Sequence, residues 1–178
     1  MTIKSIAVFC GSKTGVNPLF AQHAAALGKL LAENKINLIY GGANVGIMGI
    51  IADAAMQNGG TVVGIIPKIL VDWERKHDAI SELIITEDMH DRKKIIYSRC
   101  DAVIILPGGF GTLDELFETI TWNQLSIHDK HIFILNSGGF YKHLIQHIEE
   151  MKKENFLYSE AIENLTVLNE PSELIPFL

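Results

Sequence analysis

The stretch that most constrains this chain runs from Asp101 to Glu118 and reads DAVIILPGGFGTLDELFE. Ala102 to Leu106 is apolar throughout and rich in strand formers, the pattern of a strand buried on both faces of a parallel sheet. Pro107 has no N–H to give to a ladder and marks the strand's end. Gly108, Gly109 and Gly111 follow, and their missing Cβ atoms let backbone and ligand approach closely. A helical pattern opening at Thr112 then turns the unpaired N–H groups of a helix start toward whatever lies above the strand. Strand, glycine turn and helix N-terminus together make an anion site.

The same alternation runs through the chain. Strands are predicted over Ser5 to Cys10, Asn37 to Tyr40, Thr61 to Ile66, Glu82 to Thr86, Ala102 to Leu106, Ile132 to Asn136 and Leu165 to Leu168. Helices are predicted from Pro18 to Asn34, from the Gly41–Gly46 turn to Met56, from His90 to Arg99, from Thr112, from Tyr141 to Glu154, and briefly at the C-terminus. Alternating elements of this kind imply right-handed βαβ units in an α/β, doubly wound parallel sheet. Ligands of such sheets lie at the carboxyl ends of the strands, where three glycine turns fall: Gly11, Gly41-Gly42 and Gly108-Gly109. Lys68 to Ser81, of mixed charge and weak periodicity, is expected to be a long loop or lid.

No repeat or linker divides the 178 residues, and 48% hydrophobic content suffices for one domain spanning residues 1–178. No apolar run approaches the roughly 20 residues that cross a membrane. The N-terminus enters its first strand without a signal pattern. Cys10 and Cys100 are too few for a disulfide framework and are expected to be small core residues in a reducing cytoplasm. A net charge of −6 argues against nucleic acid as a partner. His77, His90, His128 and His131 lack zinc-ligand spacing, so no metal is expected.

The glycine turns exclude two nucleotide chemistries. No glycine-lysine-serine or glycine-lysine-threonine follows at P-loop spacing. GGANVGIMG departs from the dinucleotide fingerprint, and the strand after it ends without an acidic residue for a ribose. The focal helix instead carries carboxylates at Asp114, Glu115 and Glu118. Two roles stay open for Glu115. Acidic groups complement a helix start, and Thr112-x-x-Glu115 has capping-box spacing; a carboxylate beside an anion site also suits catalysis. Leu113, Leu116, Phe117 and Ile120 form the expected sheet-facing stripe, with Glu115, Glu118 and Trp122 opposite. The preceding helix begins MHDRKK, and basic residues there oppose the macrodipole. From that helix Arg92 can reach an anion above the focal strand.

MHDRK, PGGFGTLDE, YGGANVGIMG and TWNQLSIHDK together resemble the LONELY GUY family of cytokinin riboside 5′-monophosphate phosphoribohydrolases, over nearly the whole chain. The resemblance implies a Rossmann-like fold, a homodimer, no cofactor, and hydrolysis of a nucleoside 5′-monophosphate to free base and ribose 5-phosphate. It assigns catalysis to Arg92 and Glu115. It assigns substrate contacts to Lys93, the turn Gly108, Gly109, Phe110, Gly111, Thr112, Leu113 and Asp114, Thr121, and Glu74 in the loop; Gly41-Gly42 joins them as a ligand-side turn. Phe110, Asp114 and His131 stand where tyrosine, glutamate and proline are frequent, and none removes a catalytic group. A partner subunit over Trp122 is expected, a neighbouring helix being the other candidate cover. The alternative class is a non-catalytic carrier of a nucleotide or phosphorylated cofactor, which needs the glycines but not the carboxylate.

Overall fold

A computed structural model describes residues 3–71, 75–158 and 163–178. Seven parallel strands form one sheet in the order β4-β3-β2-β1-β5-β6-β7: β1 (Ser5–Phe9), β2 (Asn37–Tyr40), β3 (Val62–Pro67), β4 (Glu82–Thr86), β5 (Ala102–Ile105), β6 (His131–Leu135) and β7 (Leu165–Leu168). β1 sits at the centre, Ile6 paired with Leu38 on one side and Ala102 on the other. The order reverses there: the chain first winds outward through β2, β3 and β4, then returns beside β1 with β5. All of β5 is buried, as its uncharged run requires.

The helices divide between the faces. α1 (Pro18–Glu33) and α2 (Gly46–Gln57) cover one, packing Leu27, Leu31, Ile47 and Ile51 against Ile6, Leu38 and Ile104. α1 starts as its sequence dictates, with Asn17 accepting the Leu19 N–H and Pro18 in the first turn. On this face His23 bonds the Ser137 hydroxyl at 2.9 Å and Glu170 at 3.0 Å, joining α1 to the turn after β6 and to the terminal 3₁₀ segment Pro171–Phe177. The other face carries α4 (Met89–Ser98), α5 (Phe110–Gln124) and α6 (Lys142–Lys153), with Ile96, Tyr97 and Leu116 against Ala7, Ile39 and Val103.

The segment expected as a loop from Lys68 to Ser81 opens instead with a single helical turn, α3 (Lys68–Val71). Its far end is fastened: Lys76 bridges Ala43, the His77 N–H donates to the Gly42 carbonyl at 2.9 Å, and His77 Nε2 meets Asp53 at 3.1 Å. His77 Nδ1 accepts the Ala79 N–H, so Nε2 is the donor to Asp53. Glu74 lies outside the described residues. Among those described, no helix is long and apolar enough to cross a membrane.

Candidate active site

α4 brings in the cation. Asp88 caps it by accepting the Asp91 N–H at 2.9 Å, and Asp91 lies in its first turn. These two carboxylates offset the basic run that follows, a compensation not apparent from the sequence pattern alone. Arg92, 7% exposed, donates from Nε to the Ile65 carbonyl at 3.1 Å and from Nη1 to Glu115 Oε1 at 3.3 Å. Its guanidinium lies against Gly41, where a Cβ would stand 2.6 Å from Nη2. The second glycine turn therefore makes room for Arg92.

α5 brings in the carboxylate. Its N-cap is Gly109, with no side chain capping it, and Phe110 is its first residue. Thr112 is thus the third residue of the helix rather than its opening, and Thr112 with Glu115 forms no capping box. Glycine's poor helix propensity hid this first turn. The buried stripe also differs from the expected one. It is Thr112, Glu115, Leu116, Thr119 and Asn123, positions that share one helical face. Of the expected stripe only Leu116 is fully buried; Leu113 and Ile120 are half-buried and Phe117 is exposed. Apolar periodicity fails here because the buried polar groups find partners: Tyr97 for Thr119, the Lys130 carbonyl for Asn123, Arg92 for Glu115. Glu115 consequently faces inward.

At 8% exposure Glu115 pays heavily in hydration. Burial pushes its carboxyl up from 4.5 to about 7 against the pull of Arg92 and Lys93, with Asp114 and Glu118 adding to the rise. Trp122 packs tilted against Tyr97, ring centroids 4.7 Å apart, and edge-on to His128 at 5.9 Å. The neighbouring helix supplies its cover, so the partner-subunit argument from Trp122 fails.

The pair opens on a cavity of about 330 Å³. Its lining includes Cys10, Gly11 and Ser12, the Gly109–Thr112 turn with Asp114, and the apolar Met48, Leu70 and Met89. A Cβ on Gly109 or Gly111 would meet nothing within 4 Å. Neither glycine is required by packing within the chain; both leave bare backbone toward the cavity, beside first-turn amides that lack intrahelical partners. Gly108 differs, because a Cβ there would collide with Thr112 and crowd the Gly11 amide. Burial holds the Cys10 thiol well above its ordinary range, so it is no nucleophile at neutral pH. Cys100, pushed up to about 11 by burial, is equally inert. Among the described residues no group of three or more His, Cys, Asp or Glu side chains is placed to hold a metal.

Residues 48–178 match a protein-family model described as "Possible lysine decarboxylase". A protein of Rhodococcoides fascians named cytokinin riboside 5′-monophosphate phosphoribohydrolase is 43% identical over 157 residues, 88% of this chain and 79% of that one. The chain belongs to the cytokinin riboside 5′-monophosphate phosphoribohydrolase family. An Arabidopsis thaliana protein of the same name is 41% identical over 172 residues, 97% of this chain and 79% of its own. A molybdenum cofactor binding protein of Rippkaea orientalis shares the fold, with a TM-score of 0.74 and 25% identity over 99% of this chain and 96% of that one.

The residues that the phosphoribohydrolase resemblance assigns do not all converge. Arg92, Glu115, Gly109, Phe110, Gly111, Thr112 and Asp114 line the cavity. Lys93 stands behind them, its ammonium 2.9 Å from Asp114 and 3.1 Å from Glu118. Burial works against the Lys93 charge, but those two hydrogen bonds outweigh it and hold the group above its ordinary value. A Schiff-base lysine needs the opposite environment. Gly42, at φ 81, packs on Ile65 and Ile66 behind the site. Leu113 faces the partly buried side of α5, and Thr121, exposed, bonds back to the Phe117 carbonyl. Ser12, Met48, Leu70 and Met89 were not anticipated as cavity residues; only the position of Ser12 beside the Gly11 turn carried a signal.

Proposed function

We propose that this protein hydrolyses the N-glycosidic bond of nucleoside 5′-monophosphates, cytokinin riboside monophosphates or AMP, releasing adenine or an N6-substituted adenine and ribose 5-phosphate. The carrying observation is the buried Arg92–Glu115 pair beside a bare glycine turn. Breaking the C1′–N bond builds positive charge on the sugar. An ionised Glu115 stabilises that charge and takes a proton from the water whose oxygen bonds to C1′; the departing base takes up a proton from solvent, and Glu115 then returns its own to solvent. Arg92, always protonated, holds the Glu115 carboxylate at one edge and steadies negative charge. The amides at the start of α5 suit the 5′-phosphate, and Met48, Leu70 and Met89 offer an apolar wall to the base.

A carrier of a phosphorylated cofactor is the second reading, favoured by the likeness to the Rippkaea orientalis protein. It gives no reason to bury Glu115 against Arg92. The two readings part on catalysis with and without the phosphate. The hydrolase should cleave AMP with a kcat/KM far above that for adenosine, because binding energy from the remote phosphate drives the reaction, and should need no added inorganic phosphate. Equal kcat/KM for nucleoside and nucleotide overturns the phosphate assignment; a strict phosphate requirement means phosphorolysis.

Residues 1–178 are taken as one domain acting in the cytoplasm, the latter supported by two buried free cysteines. The working form is taken to be a homodimer. Its support moves from Trp122 to the outer side of α5 and the turn after it, where Phe117, Leu125 and Ile127 are exposed beside Thr121. A second copy covering this face would also bring Thr121 toward a partner.

A further inference from the structure

The hydroxyl of Tyr97 lies buried between α4 and α5. It is 2.8 Å from Thr119 Oγ1, 3.3 Å from the Glu115 carbonyl oxygen and 3.4 Å from a Glu118 carboxylate oxygen. Thr119 commits its one hydroxyl hydrogen to the Glu115 carbonyl at 2.6 Å. The short contact between Tyr97 and Thr119 therefore has a direction, the phenol donating and the threonine accepting. Burial holds the phenol far above its ordinary range, so it keeps its hydrogen at every working pH. The chain ends on the peptide unit of the residue whose side chain meets Arg92. Arg92 is fixed separately, by its bond to the Ile65 carbonyl on β3. Through Tyr97, α4 is thus tied to the Glu115 backbone, while Arg92 receives the Glu115 side chain.

We propose that Tyr97 is a positioning residue for Glu115, setting through Thr119 the place of its carboxylate against Arg92 and against C1′ of a bound nucleotide. The kinetic part rests on the hydrolase reading above; the placement of the carboxylate does not. The ring of Tyr97 is packed by Phe9 and Trp122, centroids 6.0 and 4.7 Å away, so Tyr97→Phe removes the hydroxyl and keeps the packing. Glu115 is faced by Arg92 and Lys93 from α4, by Asp114 and Glu118 from its own helix, and by the Cys10 thiol from the end of β1.

The test uses the full-length protein and compares Tyr97→Phe and Thr119→Val with the parent in three ways: kcat and KM on AMP, the melting temperature, and the titration of Glu115 by NMR of carboxyl-labelled glutamate. Tyr97→Phe is expected to lower kcat by about 5–50-fold through misplacement of the reacting group, with KM within about twofold. The Glu115 midpoint should rise above the parental one, because the carboxyl drifts from Arg92 while remaining buried. Thr119→Val should act likewise, and the double variant should be no worse than the worse single one, since both break one chain. A variant that melts lower yet keeps the parental kcat and titration makes Tyr97 a packing strut and overturns the proposal. If the parent releases no base from AMP, the hydrolase reading falls; the titration still decides, an unmoved midpoint in Tyr97→Phe again overturning the role.

Discussion

Glu115 answers to two neighbours that pull in opposite directions: a low-dielectric surround that disfavours its charge, and Arg92, which favours it. The balance leaves a carboxyl near neutrality, where a general base works best. Below pH 7 the ionised fraction falls about tenfold per unit, so kcat/KM on AMP should decline on the acid side with a midpoint near 7. Stability runs the other way. The folded protein holds this proton more tightly than the unfolded chain, whose glutamate titrates near 4.5. The resulting stabilisation is complete below that value and fades as pH rises through about 7. Glu115→Gln, permanently neutral, should therefore melt no lower than the parent at pH 8, yet lose on the order of 10²–10⁴ in kcat. Near-parental turnover would move the catalytic carboxylate to Asp114, Glu118 or Glu74. Gly41→Ala tests the other partner: its methyl must displace the Arg92 guanidinium, so kcat/KM should fall at least about tenfold, as for a misplaced reacting group, while a parental value would detach Arg92 from the reaction. Arg92 was legible because a basic run at a helix start opposes its dipole, Glu115 because a carboxylate beside an anion site suits catalysis, and both because the motifs around them resemble a family. Tyr97 and Thr119 were not, since a tyrosine and a threonine on helices look like ordinary packing until the two helices meet.

At the scale of elements, propensity worked where packing and pattern agree. β2, β4 and β7 have the expected bounds, each a short apolar run closed by glycine, acidic or polar residues. α5 shows where that reasoning stops. Its N-cap is Gly109 and its first turn holds Gly111, and its buried stripe contains Thr112, Glu115, Thr119 and Asn123, so hydrophobic periodicity pointed to a different face. The same rotation leaves Phe117 exposed and Leu113 and Ile120 half-buried. Phe117→Asp should convert the proposed dimer to monomer in sedimentation at micromolar protein, through a buried charge without a partner. A parent that sediments as a monomer removes the dimer altogether, and a variant that stays dimeric moves the interface off α5.

For the whole molecule, the strand order decides where a ligand can sit. The sheet reverses between β1 and β5, and ligands of open α/β sheets occupy the crevice at such a reversal. Gly11 from the end of β1 and Gly109 from the end of β5 both line the cavity, and α4 and α5, packed on one face, supply Arg92 and Glu115. Alternation of strands and helices made this architecture and the ligand side of the sheet legible; the direct packing of α4 on α5 on one face was not, because such pairing leaves no local signature. We propose the cavity as the site of glycosidic hydrolysis. Its most direct measurement is chromatography after incubating the protein with AMP and with an N6-isopentenyl-adenosine 5′-monophosphate in buffer free of inorganic phosphate. Free adenine or N6-substituted adenine should appear in step with ribose 5-phosphate, and the Glu115→Gln protein should bind the nucleotides but release neither product. Both nucleotides recovered intact from the parent, bound but uncleaved, would rule out hydrolysis and leave the protein a carrier.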